Sequence, residues 1–200
     1  MVAVVVDAFG QLGRTPDLTL VDRCETPLRL CTEWASTAGV SLKTTQADLA
    51  TFTGDRPFDL VCTHSFLGYF DPAARAQLMH TWHRNLTENG RVITVNRLRP
   101  GAQAGSIGFT PEQSAGFLSR TEAGLAALSA VASAAEVRKA AQEWTSRFQT
   151  WPVQSSQALE ALCAQAGFTA AIEVVDGGAS RPKGPGSPGG ARFAHLVAQK

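Results

Sequence analysis

An α/β chain built on a doubly wound, mostly parallel sheet is predicted by three observations. Apolar runs of strand length alternate with longer segments of helical period through residues 18 to 98. Runs such as LVCT and VITV are apolar at successive positions, the pattern of strands covered by helices on both faces. Acids or small polar residues stand where these strands end, at Asp22, at Asp48 and over THS (63 to 65). With 200 residues and 44% hydrophobic composition, residues 1 to 200 read as one domain with a real core.

Each element has a local reason. Residues 2 to 12 read as a helix although four valines weaken it, because Gly10 lies only 12 residues before Asp22, too few for a crossover helix between parallel strands. LTLVD (18 to 22) is a strand. A helix over 27 to 38 follows from Thr26 as cap and Pro27 at the first helical position, with Leu30, Cys31, Trp34, Ala35 and Ala38 on one face and Gly39 as a left-handed stop. SLKTTQAD (41 to 48) and FDLVCTHS (58 to 65) are strands. Asp71-Pro72 repeats the start signal for a helix over 72 to 86, in which Leu78, Met79, Trp82 and Leu86 recur at helical spacing. Trp34 and Trp82 both read as core. RVITVNRL (91 to 98) is the next strand.

Past Pro100 the rhythm changes. Residues 110 to 148 are Ala-rich and strand-free, open with a Thr110–Gln113 capping box, and read as one broken helix or two, a helical insertion. SSQALEALCAQAGF (155 to 168), AAIEVVD (170 to 176) and ARFAHLVAQK (191 to 200) read as helix, strand and strand. Between the last two, 11 of the 14 residues 177 to 190 are Gly, Pro or Ser, which predicts a flexible connecting loop.

Composition narrows the function. Net charge is +1 and no Lys/Arg run marks a nucleic-acid or anionic membrane footprint. No segment approaches 18 uninterrupted apolar residues, and MVAVVVDAFG lacks a basic export signal, so a cytoplasmic protein is expected. Cys24, Cys31, Cys62 and Cys163 have neither metal-site nor disulfide-scaffold spacing and read as small buried side chains in a reducing compartment; no metal is expected.

In an open parallel sheet, ligands bind beyond the carboxyl ends of the strands, and a carboxylate there can accept both ribose hydroxyls of an adenosine-containing cofactor. Asp22 is placed for that role, with Arg23 beside it. Asp48 can accept from an adenine amino group while Leu49 packs against the ring, and THSFLGYF (63 to 70) lies over the middle of the same crevice. Each acid taken singly also suits a helix cap or turn.

The series LTLVDRCETPLRL, QADL, RPFDLVCTHSFLGYF, LTENGRVITVNRLRP and ALEALCAQAGF resembles class I S-adenosylmethionine (SAM) dependent methyltransferases over residues 1 to 100 and 155 to 200. The resemblance implies a Rossmann-like methyltransferase sheet of seven strands with an antiparallel last strand, closed by a hairpin over 170 to 198. It implies SAM as cofactor, Asp22 on its ribose, Asp48 near adenine, and Thr63 to Ser65 along its methionine part.

The sequence departs from that pattern at its start. The glycine-rich turn should precede the ribose acid by about 20 residues, which places it before residue 1. The reading is therefore an N-terminally truncated fold, from an upstream true start or from decay, with SAM affinity severely weakened. His64 is the best-placed general base. Arg97 and Arg99 can contact an acidic acceptor, although solvated strand-end charges are commoner. With no Asn-Pro-Pro-aromatic run at 63 to 66, a small-molecule acceptor is expected rather than nucleic acid. A short-chain reductase would need Lys four residues after a Tyr, and Tyr69 has Ala73 there. A noncatalytic, partner-binding relic is the other alternative.

Overall fold

In the computed structural model, residues 1–102, 105–128, 132–176 and 192–200 are described; the loop expected over 177 to 190 lies outside them. The elements run α1 (Val2–Gln11), β1 (Leu18–Asp22), α2 (Glu25–Thr37), β2 (Leu42–Gln46), β3 (Phe58–His64), α3 (Pro72–Asn85), β4 (Leu86–Leu98), α4 (Pro111–Leu128), α5 (Ala134–Arg147), α6 (Ser156–Gln165), β5 (Thr169–Asp176) and β6 (Arg192–Gln199). A 3-10 turn over Leu67–Tyr69 leads from β3 toward α3.

The strands order as β2-β1 and, separately, β3-β4-β6-β5. β1 runs parallel to β2 and β3 parallel to β4, whereas β6 is antiparallel to both β4 and β5. The mostly parallel, doubly wound arrangement with an antiparallel last strand is thus observed, with six strands among the described residues rather than seven. The sheet is split where β1 and β3 would face a common neighbour. Asp17, just before β1, pairs with Arg56, just before β3, and so joins the two parts at their amino ends.

Helix starts follow capping chemistry. Asp71 accepts from the Ala74 amide at 2.8 Å with Pro72 at the first helical position, Thr110 and Gln113 cap each other reciprocally, and Ser133 and Glu136 form a full capping box. The 110 to 148 region is therefore two helices. α2 begins two residues earlier than expected, at Glu25, without a side-chain cap. Pro27 is accommodated because the first-turn amides have no intrahelical acceptor to lose. Gly39 ends α2 at φ 67°, as its position predicts.

The buried cluster explains which apolar stripe matters. Leu78, Met79 and Trp82 of α3, Val92 of β4, Leu159 and Cys163 of α6, and Ala194, Leu196 and Ala198 of β6 meet in one core. Trp34 and Leu30 do not reach a core: they are 36% and 57% exposed, and α2 buries only Leu28 and Ala35 against its two-strand ribbon. A ribbon of two strands is too narrow to cover the wide apolar stripe that the α2 sequence offers. α1, helical as read, buries none of its residues. The cysteine expectation also needs correction, since only Cys163 is buried and Cys24 is exposed. Burial, reinforced by Glu160, pushes the Cys163 thiol up to about 11, so it stays neutral and inert.

Candidate acceptor pocket and strand-end acids

The carboxyl ends of β1 and β2 bring three of the sequence-predicted residues together. The turn after β1 is fixed by Asp22, whose Oδ1 accepts from the Cys24 amide at 2.7 Å. Gln46, ending β2, donates from Nε2 to the Arg23 carbonyl at 3.1 Å, and the Ala47 amide donates to the Asp22 carbonyl at 3.1 Å. Arg23 stands 3.8 Å from Asp48, whose Oδ1 also accepts from the Ala50 amide. Asp48 is thus answered at both oxygens. Asp22 keeps Oδ2 without a partner among the described residues, which fits a carboxylate offered to a pair of hydroxyls. Leu49 packs against the main core rather than standing free beside Asp48.

The end of β3 belongs to a second location. Thr63 donates to the Thr94 hydroxyl at 2.7 Å, Asn96 donates to the same hydroxyl at 3.1 Å, and Asn96 Oδ1 accepts from the Leu67 amide at 3.3 Å. Thr63 is therefore turned into a buried relay between β3 and β4. His64 and Ser65 instead line a cavity of about 280 Å³, with Ser65 in the left-handed region at φ 52°. Neither Asp22 nor Asp48 lines it.

The opposite wall comes from Thr150 to Val153, between α5 and α6, which the sequence pattern leaves unassigned. Thr150 Oγ1 and the Trp151 amide both donate to the Gly68 carbonyl, at 3.0 and 2.8 Å. A Cβ on Gly68 would stand 2.8 Å from Thr150 Oγ1, so only glycine allows this approach. Arg75, 8% exposed, ties the two walls: its Nε donates to the Leu67 carbonyl and its Nη2 to the carbonyls of Phe70 and Trp151, all within 3.0 Å.

Arg97 and Arg99 also line the cavity. Arg97, near the end of β4, and Arg99, just past it, flank Leu98, which is 5% exposed and turned to the other face. The alternation NRLR was the sequence signal for this, but a strand-end charge is ordinarily solvated. Here burial lowers the affinity of both guanidiniums for their proton, and Arg99, which also faces Arg97, is pushed down to about 10.

Solved structures of similar fold share this architecture. A SAM-dependent methyltransferase from Methanosarcina mazei superposes with a TM-score of 0.60 at 15% identity, covering 91% of this chain and 81% of its own. One from Clostridium acetobutylicum gives 0.56 at 12% identity, over 92% and 75%. A provisionally assigned O-methyltransferase from Nostoc punctiforme gives 0.53 at 19% identity over 92% of this chain, which spans only 45% of that protein. No protein-family model and no curated protein matches the chain significantly. The fold is that of a doubly wound α/β domain. More specifically, it is the class I methyltransferase fold.

Proposed function

We propose that this chain carries out SAM-dependent methyl transfer to a small-molecule acceptor. The observation that carries the reading is Asp22, held at the carboxyl end of a parallel strand with one oxygen spent on its own turn and the other unspent. It is supported by the strand order and by a pocket at the ends of β3 and β4, where an acceptor would lie. When bound, SAM supplies a sulfonium methyl group to an in-line displacement. The chain's residues then have to position the acceptor and take its proton if it arrives protonated.

His64 is the group for that proton, because it lines the pocket from the end of β3 and its imidazole can accept at one nitrogen. Ser65 lies beside it on the same wall. Arg23 and Asp48 shape the β1–β2 end, where Asp22 is the direct ribose contact. A noncatalytic role is favoured by one observation: no strand stands between β1 and β3 among the described residues, so no glycine turn faces Asp22.

Calorimetric titration of SAM distinguishes the two. The expected result is weak binding, with Kd on the order of 0.1 mM or above, and a further loss of at least about tenfold in Asp22→Ala, the size expected for a charge-assisted hydrogen bond. Equal binding by both proteins would remove Asp22 from the site. No heat from either would favour the noncatalytic role.

A further inference from the structure

The pocket beyond β3 and β4 has a charge imbalance that no acid among the described residues answers. Arg97 Nε and Arg99 Nη1 are buried nitrogens with no hydrogen-bond partner among the described residues. Neither guanidinium takes part in an ion pair among the described residues. Residues 103–104, 129–131 and 177–191 contain no Asp or Glu at all. The charged neighbour that acts on Arg99 is Arg97, which repels it. Two like charges that are partly withdrawn from water, each with a buried donor unsatisfied, are costly unless something of opposite charge completes the arrangement.

The remaining lining indicates what that partner must be. Asn96 is committed to Thr94 and Leu67, and Thr150 to Gly68, so neither competes for the arginines. Tyr69, Phe148 and Trp151 supply aromatic walls, with the Tyr69 and Phe148 rings edge to face at 6.2 Å. A cavity of about 280 Å³ has room for one ring and its substituents.

We propose that Arg97 and Arg99 form an oxyanion-binding subsite that holds the carboxylate or phosphate of a small, planar, anionic ligand in this pocket. That this ligand is the methyl acceptor rests on the reading given above; that the subsite binds an anion does not. The planar guanidinium fork matches two oxygens of either group, while the aromatic walls cover the ligand's apolar body. His64, at the end of the neighbouring strand β3, lines the same cavity.

The test is direct titration of benzoate and of phenyl phosphate into the whole chain at low salt, with benzamide as the uncharged counterpart and no SAM present. Either anion is expected to bind at least about tenfold more tightly than benzamide, and Arg97→Gln or Arg99→Gln to weaken it by about tenfold or more, as for loss of a charge-assisted hydrogen bond. Which anion binds better separates a carboxylate site from a phosphate site. Arg99→Lys, which keeps the charge and loses the fork, guards against misfolding of the glutamine variants: intermediate affinity is expected. Equal affinity for benzoate and benzamide, absence of binding by both anions, or anion binding unchanged in Arg99→Lys and both glutamine variants would overturn the proposal. Because SAM is absent, failure of the methyl-transfer reading leaves these outcomes unaffected.

Discussion

Trp82→Ala is expected to destabilise the chain by about 3–5 kcal/mol, the range for removing a large buried aromatic side chain. For a domain of this size that corresponds to a fall in melting temperature of roughly 6–20 °C. Trp82 is 1% exposed at the centre of the cluster formed by α3, β4 and α6. The same residue provides its own control. Its Nε1 donor is buried without a partner among the described residues, so Trp82→Phe deletes an unsatisfied polar atom along with part of the ring. Loss of packing and relief of that donor oppose each other. The phenylalanine variant should therefore retain most of the stability in a thermal melt, and an alanine variant melting with the parent would mean that this cluster is not the core.

Arg75→Met should rank next, at about 2–4 kcal/mol, because three carbonyls lose one shared donor group, of which that of Leu67 retains the Phe70 amide at 3.3 Å, and each buried acceptor left unsatisfied costs about 1–3 kcal/mol before water recovers part of it. The methionine keeps most of the apolar stem, so the loss reports the guanidinium. Burial lowers the affinity of Arg75 for its proton and Asp71 opposes that shift, yet the group remains charged at any ordinary pH. Arg75→Lys should recover only part, since one ammonium cannot copy a planar fork reaching the carbonyls of Leu67, Phe70 and Trp151. Urea unfolding measures the stability. Benzoate titration of the same variant should also weaken, because the Trp151 segment is a wall of the pocket. Unchanged unfolding would show that these hydrogen bonds exchange freely with water.

What the sequence makes legible is local. Asp71-Pro72, Thr110 with Gln113, and Gly39 mark helix ends because the relevant partners lie within a few residues, and those ends are observed. Consecutive apolar residues correctly indicate strands, but the two-sided cover they imply is absent from β4, where Val92 is buried and its neighbour Ile93 is 42% exposed. Trp34 misleads because its stripe is real but the surface to receive it is only two strands wide. Leu86 reads as the end of the helix over 72 to 86 and the next strand as starting at Arg91, yet β4 already begins at Leu86, paired with Phe58 before an irregularity in register, which depends on a strand far away in sequence. The strand-end residues divide in the same way. Asp22 and Asp48 are found near each other as their strand ends imply, but the turning of Thr63 toward Thr94, the packing of Leu49 and the inward aim of Arg97 and Arg99 are set by tertiary neighbours. The Thr150 to Val153 wall has no periodicity to betray it.

The break in the sheet also divides the molecule by how readily its parts open. β1 and β2 form a two-stranded ribbon, marginal as a unit, and neither strand contains a fully buried residue. β4 and β6 carry Val92, Ala194 and Ala198 at 0% exposure. Amide exchange should therefore proceed in β1 and β2 through local fluctuations, and in the middle of β4 and β6 only when the whole chain unfolds. Asp22 and Asp48 ride on the yielding part, and the arginine-lined cavity on the firm one. A molecule held at the first must bear an entropic cost of quieting its own site, whereas one held at the second meets a site already still.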